Sequence, residues 1–600
     1  MMGRGRHGVA AITGVVLGLL AIGPGLAPGF LLSYDMVFVP DPVFTKMTFG
    51  LTGTVPRHVP SDAFVTALAT VLPAGLVQKL VLLAIFVMAC TSAASLVPSQ
   101  RLAPRLAAGV LYAWNPFVAE RLLLGHWAFL LGYAALPWVV GAAARAAEPG
   151  GGRRLVRVLI PAAIGGFAAI AISALAALSV AAVAGRERGR ALARTAAALV
   201  VLSLPWLVTG WLRPAGMPGD AAGVDAFAAR ADTPFGAVGS LLLLGGAWNG
   251  ETVPAGYGAP VTAAAWALLV IAAVVAYGRW CRTAWTRGLA LAAAIGFVLA
   301  ALGAVVPGLL RWMIELWPGF AVLRDGQQYV APLAVLVAAG LGVLVERVTR
   351  PKAATAGTAA GAEAETGAAG RSAETGGAAR SASRTETAGA VLAIFAVVAP
   401  IFLLPTLAWG AAGRFAAIDY PAAWAKARET VRADRVPGDV LVLPWATYRS
   451  YPWNGGRTSL DALPRYLDRR VIVSDAVIIG PTTITAEDPR ARRLDAAVRS
   501  AAPLTEALRA AGVRYVALDA ETGPGNPVRA RLAGASLVLD DPDLVLYRID
   551  DPAEASDGGA PVWSAVLAWS IVIGVILWSF FVPASTLTTY FRHPLRGRAP

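Results

Sequence analysis

The sequence predicts a polytopic α-helical membrane protein of about twelve transmembrane helices, with an α/β domain outside the membrane before the last of them. Three observations carry this reading. Mean hydropathy is +0.61, and the chain is 57% hydrophobic and only 15% charged, against about 25% charged in soluble domains. Apolar runs long enough for a hydrocarbon core recur along the chain, separated by arginine-rich connections. Between residues 413 and 560 that pattern stops, and short β-rich segments bounded by turn residues replace it.

Other classes fall away. The apolar runs lack the period-2 alternation of a membrane β-barrel. The net charge of +14 comes from arginines lying between spans, so topology explains it better than nucleic-acid binding. Two cysteines, Cys90 and Cys281, make neither a disulfide framework nor a Cys/His metal cluster.

In chain order, Arg4 and Arg6 precede an apolar run from Val9 to Leu32. It is too long for a signal-peptide core and lacks a small-residue cleavage site, so it reads as an uncleaved first helix with a cytoplasmic N-terminus. Further spans are expected near 76–98, 106–121, 127–144, 158–172, 174–185, 195–212, 262–278, 289–307, 329–346, 387–410 and 562–583. The basic connections at Arg101/Arg105, Arg145–Arg157, Arg186–Arg194, Arg279–Arg287 and Arg347–Lys352 then face the cytoplasm. Splitting 158–185 near Ser173 satisfies all of them and leaves both termini inside, with two short halves of re-entrant or half-buried character.

The expected organisation is a multi-span domain over 1–350, with outer loops at 33–75 and 213–261. A disordered cytoplasmic linker follows over 351–388, then an eleventh span over 389–412 and an extracytoplasmic α/β domain over 413–560. A final span over 561–583 and a basic cytoplasmic tail over 584–600 complete it. Within the α/β domain, 439–444, 470–474 and 513–518 read as strands and 503–511 as a helix closed by Gly512. A hairpin is expected around Asp540-Asp541-Pro542-Asp543.

Three polar constellations stand at the outer ends of spans. The first is Ser33–Pro42, with Asp35 and Asp41. An extended segment separates two residues six apart by up to ~20 Å, so the two carboxylates need not act together. Asp35, nearer the helix end, is the better candidate for a general base. The plainer alternative makes both residues interfacial, snorkelling to water. The second is Asn115–Trp127, where Arg121 can hold a phosphate bidentately and Glu120 or His126 can bind a cation or handle a proton. The alternative is a Glu–Arg pair fixing a helical hairpin. The third is Arg324-Asp325, suited to a phosphate head group or simply a charged juxtamembrane turn. The aromatic stretch Trp445–Asn454 suits either a sugar ring or a domain–membrane junction. No Walker A motif occurs, and the outer domain holds no histidine for a Ser-His-Asp hydrolase.

With these pieces placed, the chain resembles the GT-C class of polytopic glycosyltransferases and the related YfhO-type bacterial membrane proteins. The likeness lies in the acidic residue of the first outer loop, the many spans and the C-terminal outer domain. There, LRAAGVRYVAL at 508–518 and DLVLYR at 543–548 look like that group's helix–strand–strand pattern. The Asn115–Trp127 segment and the Ala/Arg/Gly richness look actinobacterial. The resemblance implies transfer of a sugar from a polyprenyl-phosphate donor to a cell-envelope glycan, glycolipid or protein acceptor, on the outer face of the plasma membrane. Asp35, with Asp41 second, would serve as catalytic base, and Arg121 and Arg324 would hold the lipid phosphate. No cofactor is fixed by this reading, and a divalent cation stays open as one. The acidic motif here departs from the adjacent Asp-Asp or Asp-Glu pair of many members. Two other classes stay open: a transporter or flippase of lipid-linked envelope precursors, suggested by the broken 158–185 span, and a non-catalytic scaffold for envelope assembly.

Overall fold

The computed structural model describes residues 2–213, 219–350, 389–479, 482–519, 522–554 and 558–581. The expected linker at 351–388 and tail at 584–600 lie outside the described residues. The chain is mostly helical, with a sheet near its C-terminal end. Among the described residues seven helices have the length and hydropathy to cross a membrane, and an eighth candidate is the pair Gly389–Leu403 and Pro405–Gly413, bent by 64°. Two shorter apolar helices, Trp127–Ala143 and Gly166–Ala182, stand among them.

The local breaks follow from sequence, and two differ from expectation. The run 158–185 is interrupted at Gly165-Gly166 rather than at Ser173: Gly166 takes φ +73°, which a residue with a Cβ adopts only at a cost. Ser173 instead lies buried in mid-helix. The run 106–121 is two helices, Leu102–Ala113 and Pro116–Leu123, separated at Trp114-Asn115. The arginine-rich connections contact one another. Arg101 donates to Thr349 Oγ1 at 2.6 Å, and Arg194 donates to the carbonyls of Ala146, Ala147 and Glu148. The Arg153 guanidinium stacks over Trp578 of the last helix.

The sheet has five strands. In chain order the strands of this region are β1 (Asp439–Leu443), β2 (Tyr448–Ser450), β3 (Thr458–Leu460), β4 (Val471–Ile472), β5 (Val477–Ile479), β6 (Thr482–Ile484), β7 (Val513–Leu518), β8 (Ser536–Asp541) and β9 (Leu544–Arg548). The main sheet runs β4-β1-β7-β9-β8, with β1 parallel to β4 and β7, and β9 antiparallel to β7 and β8. Central strands buried on both faces read as unbroken apolar runs. In β1, accordingly, Leu441 and Leu443 pack beneath Leu494, Val498 and Leu508, while Val440 and Val442 pack against Trp424, Ala427 and Val431. β2 and β3 form a separate antiparallel ribbon.

The first loop is the seam between the two parts. Along Leu31–Val39 the buried side chains alternate. Leu31, Met36 and Phe38 enter the core of the helical domain, and Leu32, Val37 and Val39 enter the core of the sheet domain. Tyr34 adds to the ribbon as a strand would: its N–H donates to Thr458 O at 2.8 Å, and Leu460 N donates to Tyr34 O at 2.8 Å. Two short stretches on either side of a tight turn at Ser33–Met36, with Tyr34 at φ +45°, thus join two hydrophobic cores.

Candidate functional site

Asp35 sits on this seam, and three elements converge on it. The first is the short helix Pro116–Leu123. Asn115 caps it by accepting from Val118 N at 3.0 Å, and Pro116 occupies its first position, a favourable start for a helix. Gly125, at φ +79°, ends it and turns the chain so that His126 faces Asp35. His126 Nε2 lies 3.3 Å from Asp35 Oδ2. The second element is the ribbon, from which Tyr448 Oη donates to Asp35 Oδ1 at 2.8 Å. The third is the loop itself, where Asp35 N donates to Leu124 O at 3.1 Å. The carboxylate is recessed yet open, with 38% of its side-chain surface accessible. Burial alone would raise its pKa, but the hydrogen bonds from His126 and Tyr448 hold it below the usual carboxylate range. At neutral pH it is an anion able to accept a proton.

Gly125 is required at close quarters as well as by conformation. A Cβ there would strike Met36 N and Ser33 O, backbone atoms on either side of Asp35. Gly125→Ala therefore shifts the first loop and adds left-handed strain. We expect about 2 kcal/mol lower stability in thermal denaturation, and at least about a tenfold loss of any activity that depends on Asp35.

Arg121 and Asp325 form the floor beneath His126. Arg121 is 1% exposed and bonds Asp325 through both terminal nitrogens, at 2.9 and 3.1 Å. It also donates to Gln327 Oε1 and meets His126 Nδ1 at 3.0 Å. Burial would raise the Asp325 pKa, but the Arg121 guanidinium overrides it and keeps the carboxyl below its usual range. The resemblance offers Arg121 as a phosphate contact, but the geometry spends its terminal donors on protein groups. Glu120, fully buried, accepts from Ala247 N at 3.2 Å and from Gln327 Nε2 at 3.4 Å. It abuts Asp232, whose pKa burial pushes up. A buried carboxyl beside a half-buried one is tolerated when a proton lies between them. Asp41 is elsewhere: it is exposed, at φ +47°, and its carbonyl accepts from Arg428 of the sheet domain.

Two residues outside the sequence-based candidates complete the recess. The imidazole of His58 interacts electrostatically with Asp35, Asp62, Arg57 and Arg465. Burial first, then the neighbouring Arg465 charge, lower its pKa to about 4, so it is neutral. Arg57 extends from the same loop, and its Nη2 reaches both Glu487 carboxylate oxygens at 2.6 Å. Arg324 approaches the same Glu487 at 4.0 Å, while its other nitrogens are held by Ala321 O and Asp220 O. Burial, then the like charge of Arg57, hold Arg324 below the usual arginine range. Arg213 is lowered by burial, with the Arg57 charge contributing. Three arginines from three segments thus share one region, in which Glu487 is an acidic partner common to all three. Arg57 is exposed while Arg213 and Arg324 are largely buried, so a guanidinium open to solvent is backed by two others, an arrangement that suits an anionic group. Neither residue could be picked from sequence: Arg57 and His58 occupy an unremarkable loop, and Glu487 lies more than 400 residues away.

A divalent cation does not fit this recess. Among the described residues no group of three His, Cys, Asp or Glu side chains could hold a metal ion.

Two solved structures share this architecture. Both are cryo-EM structures of the arabinofuranosyltransferase AftD from mycobacteria, one of them of a point mutant, with TM-scores of 0.54 and 0.50 at 16% identity. The fold is GT-C-like. The alignments cover 92% of this chain but 42% and 40% of the longer neighbours, so the chain spans less than half their length. No protein-family model matches the chain, and no curated protein matches it. The likeness is to the GT-C-like fold and does not extend to the YfhO-type proteins in particular.

Proposed function

We propose that the protein is a cell-envelope glycosyltransferase of GT-C type that moves a sugar from a polyprenyl-phosphate donor to a glycan, glycolipid or protein hydroxyl on the outer face of the membrane. The observation that carries this is Asp35: an ionised, recessed and accessible carboxylate on the seam between helical and sheet domains. The shared fold with an arabinofuranosyltransferase supports the reaction class and suggests a pentofuranose as the sugar. In this reading twelve crossings put both termini in the cytoplasm and residues 413–560 outside, facing the acceptor.

The chemistry is a single displacement. Asp35 accepts the proton of the acceptor hydroxyl as its oxygen bonds to the anomeric carbon, and the bond from that carbon to the phosphate oxygen breaks. The polyprenyl phosphate leaves with the electron pair. Arg57 and Arg324 stabilise the charge it gains, Arg57 exchanging Glu487 for the phosphate.

The test is direct. Purified protein in nanodiscs receives polyprenyl-phosphoryl-arabinofuranose and an arabinan oligosaccharide, and the extended glycan is read by mass spectrometry. Arg57→Gln should raise the donor KM about tenfold, equivalent to one charged hydrogen bond of about 1.4 kcal/mol. No product with any polyprenyl-phosphate sugar, together with movement of the donor across reconstituted vesicles, would replace this reading with a flippase.

A further inference from the structure

Resting on that reading, we infer that Arg121 is a positioning residue: it fixes the tautomer of His126 and, through it, the orientation of Asp35. The argument is one of donors and acceptors. A guanidinium only donates hydrogen bonds. Arg121 Nη1 lies 3.0 Å from His126 Nδ1, so Nδ1 is the acceptor and carries no proton. The ring proton of the neutral imidazole is then on Nε2, 3.3 Å from Asp35 Oδ2, and donates to it.

The guanidinium is itself held against rotation. Asp325 takes both terminal nitrogens, Gln327 takes Nη2, and the rings of Phe117 and Phe129 face its carbon at 5.8 and 5.6 Å. Gln327 in turn leans on Glu120. The buried polar cluster that looks from sequence like a binding site is therefore a scaffold, whose outermost donor is His126 Nε2. Tyr448 completes it from the opposite side at 2.8 Å. With Oδ2 engaged by one domain and Oδ1 by the other, the carboxylate plane is set by both. Because arginine does not release its proton, the chain of contacts carries no proton away from Asp35. Its role is geometric.

The experiment uses the full chain in nanodiscs with histidine labelled by 15N. The sequence has only four histidines, His7, His58, His126 and His593, and loss of one signal in His126→Asn assigns it. Expected is a pyridine-type Nδ1 and a protonated, pyrrole-type Nε2 for His126 at neutral pH, changing to mixed tautomers in Arg121→Met. In the transfer assay, His126→Phe should lower kcat about 10–100-fold with donor KM little changed, and His126→Gln, which keeps a donor, should recover part of it. A protonated Nδ1 in the native protein, or an unchanged tautomer in folded Arg121→Met, overturns the inference even if transfer is observed. If no sugar is transferred at all, the tautomer still decides the positioning question, so the two failures are distinct.

Discussion

Under the proposed function, Asp35→Asn should lower sugar transfer by at least about 10²–10⁴-fold, the usual contribution of a positioned general base, with little change in donor KM. The substitution keeps the shape of the side chain, and an amide oxygen still accepts from Tyr448 or His126. What it removes is the ability to take the acceptor's proton. Its effect therefore falls on kcat, whereas that of Arg57→Gln falls on KM. The pH dependence follows from the same contacts. Because the Asp35 pKa lies below the ordinary 3.8, the carboxylate is present throughout the neutral range, and no loss of activity above pH 5 arises from its protonation. Transfer is measured from pH 5 to 8 on purified protein, with thermal denaturation as the folding control. Undiminished transfer by Asp35→Asn removes Asp35 from the mechanism.

How far this site was legible in the sequence depends on the range of the interactions that build it. Asp35 could be found because a carboxylate at the end of an apolar run is costly unless it faces water or a ligand. The polar residues of Asn115–Trp127 were visible by density alone, and the structure joins them to Asp325 through Arg121. What they do was not legible. A buried arginine spent on Asp325, Gln327 and His126 looks, in one dimension, like an arginine waiting for phosphate. The strands around 439–443 and 513–518 could be read because central strands carry continuous apolar runs, but their parallel pairing is a property of three dimensions. The alternation Met36-Val37-Phe38-Val39 was on the page as well. It was obscured because all four residues are apolar: an element buried on both faces, by two different domains, shows no polar side. Tyr448 stands in the aromatic stretch Trp445–Asn454, but its pairing with Asp35, 413 residues away, leaves no local signal.

The second large effect is on stability, at Arg449. This residue of β2 is 3% exposed and lies between two carboxylates, bonding Asp461 at 3.0 Å and Asp519 at 3.1 Å. Tyr451 Oη donates to Asp519 at 3.0 Å, and Leu463 N donates to Asp461 at 2.9 Å. Asp519 directly follows β7 and its N–H bonds Leu443 O of β1, so the cluster ties the β2–β3 ribbon to the main sheet. Arg449→Met leaves two buried carboxylates without their cation and should cost about 3–5 kcal/mol, read as a lower thermal midpoint by tryptophan fluorescence. The ribbon it loosens also carries Tyr448 and the backbone partners of Tyr34, so the proposed transfer should fall as well. One arginine between two buried acids also leaves a proton on the pair: burial first, then the Asp461 charge, push the Asp519 pKa up to about 7. In the unfolded chain that carboxyl ionises near 3.8. Between about pH 4 and pH 7 the folded state thus binds more protons than the unfolded one, and stability falls as pH rises through this window. Asp519→Asn, which keeps a polar partner for Arg449 but cannot ionise, should flatten that slope. A thermal midpoint in Asp519→Asn that retains the native pH slope would show that the proton resides elsewhere. An Arg449→Met protein as stable as the native one would show that the cluster does not hold the ribbon to the sheet.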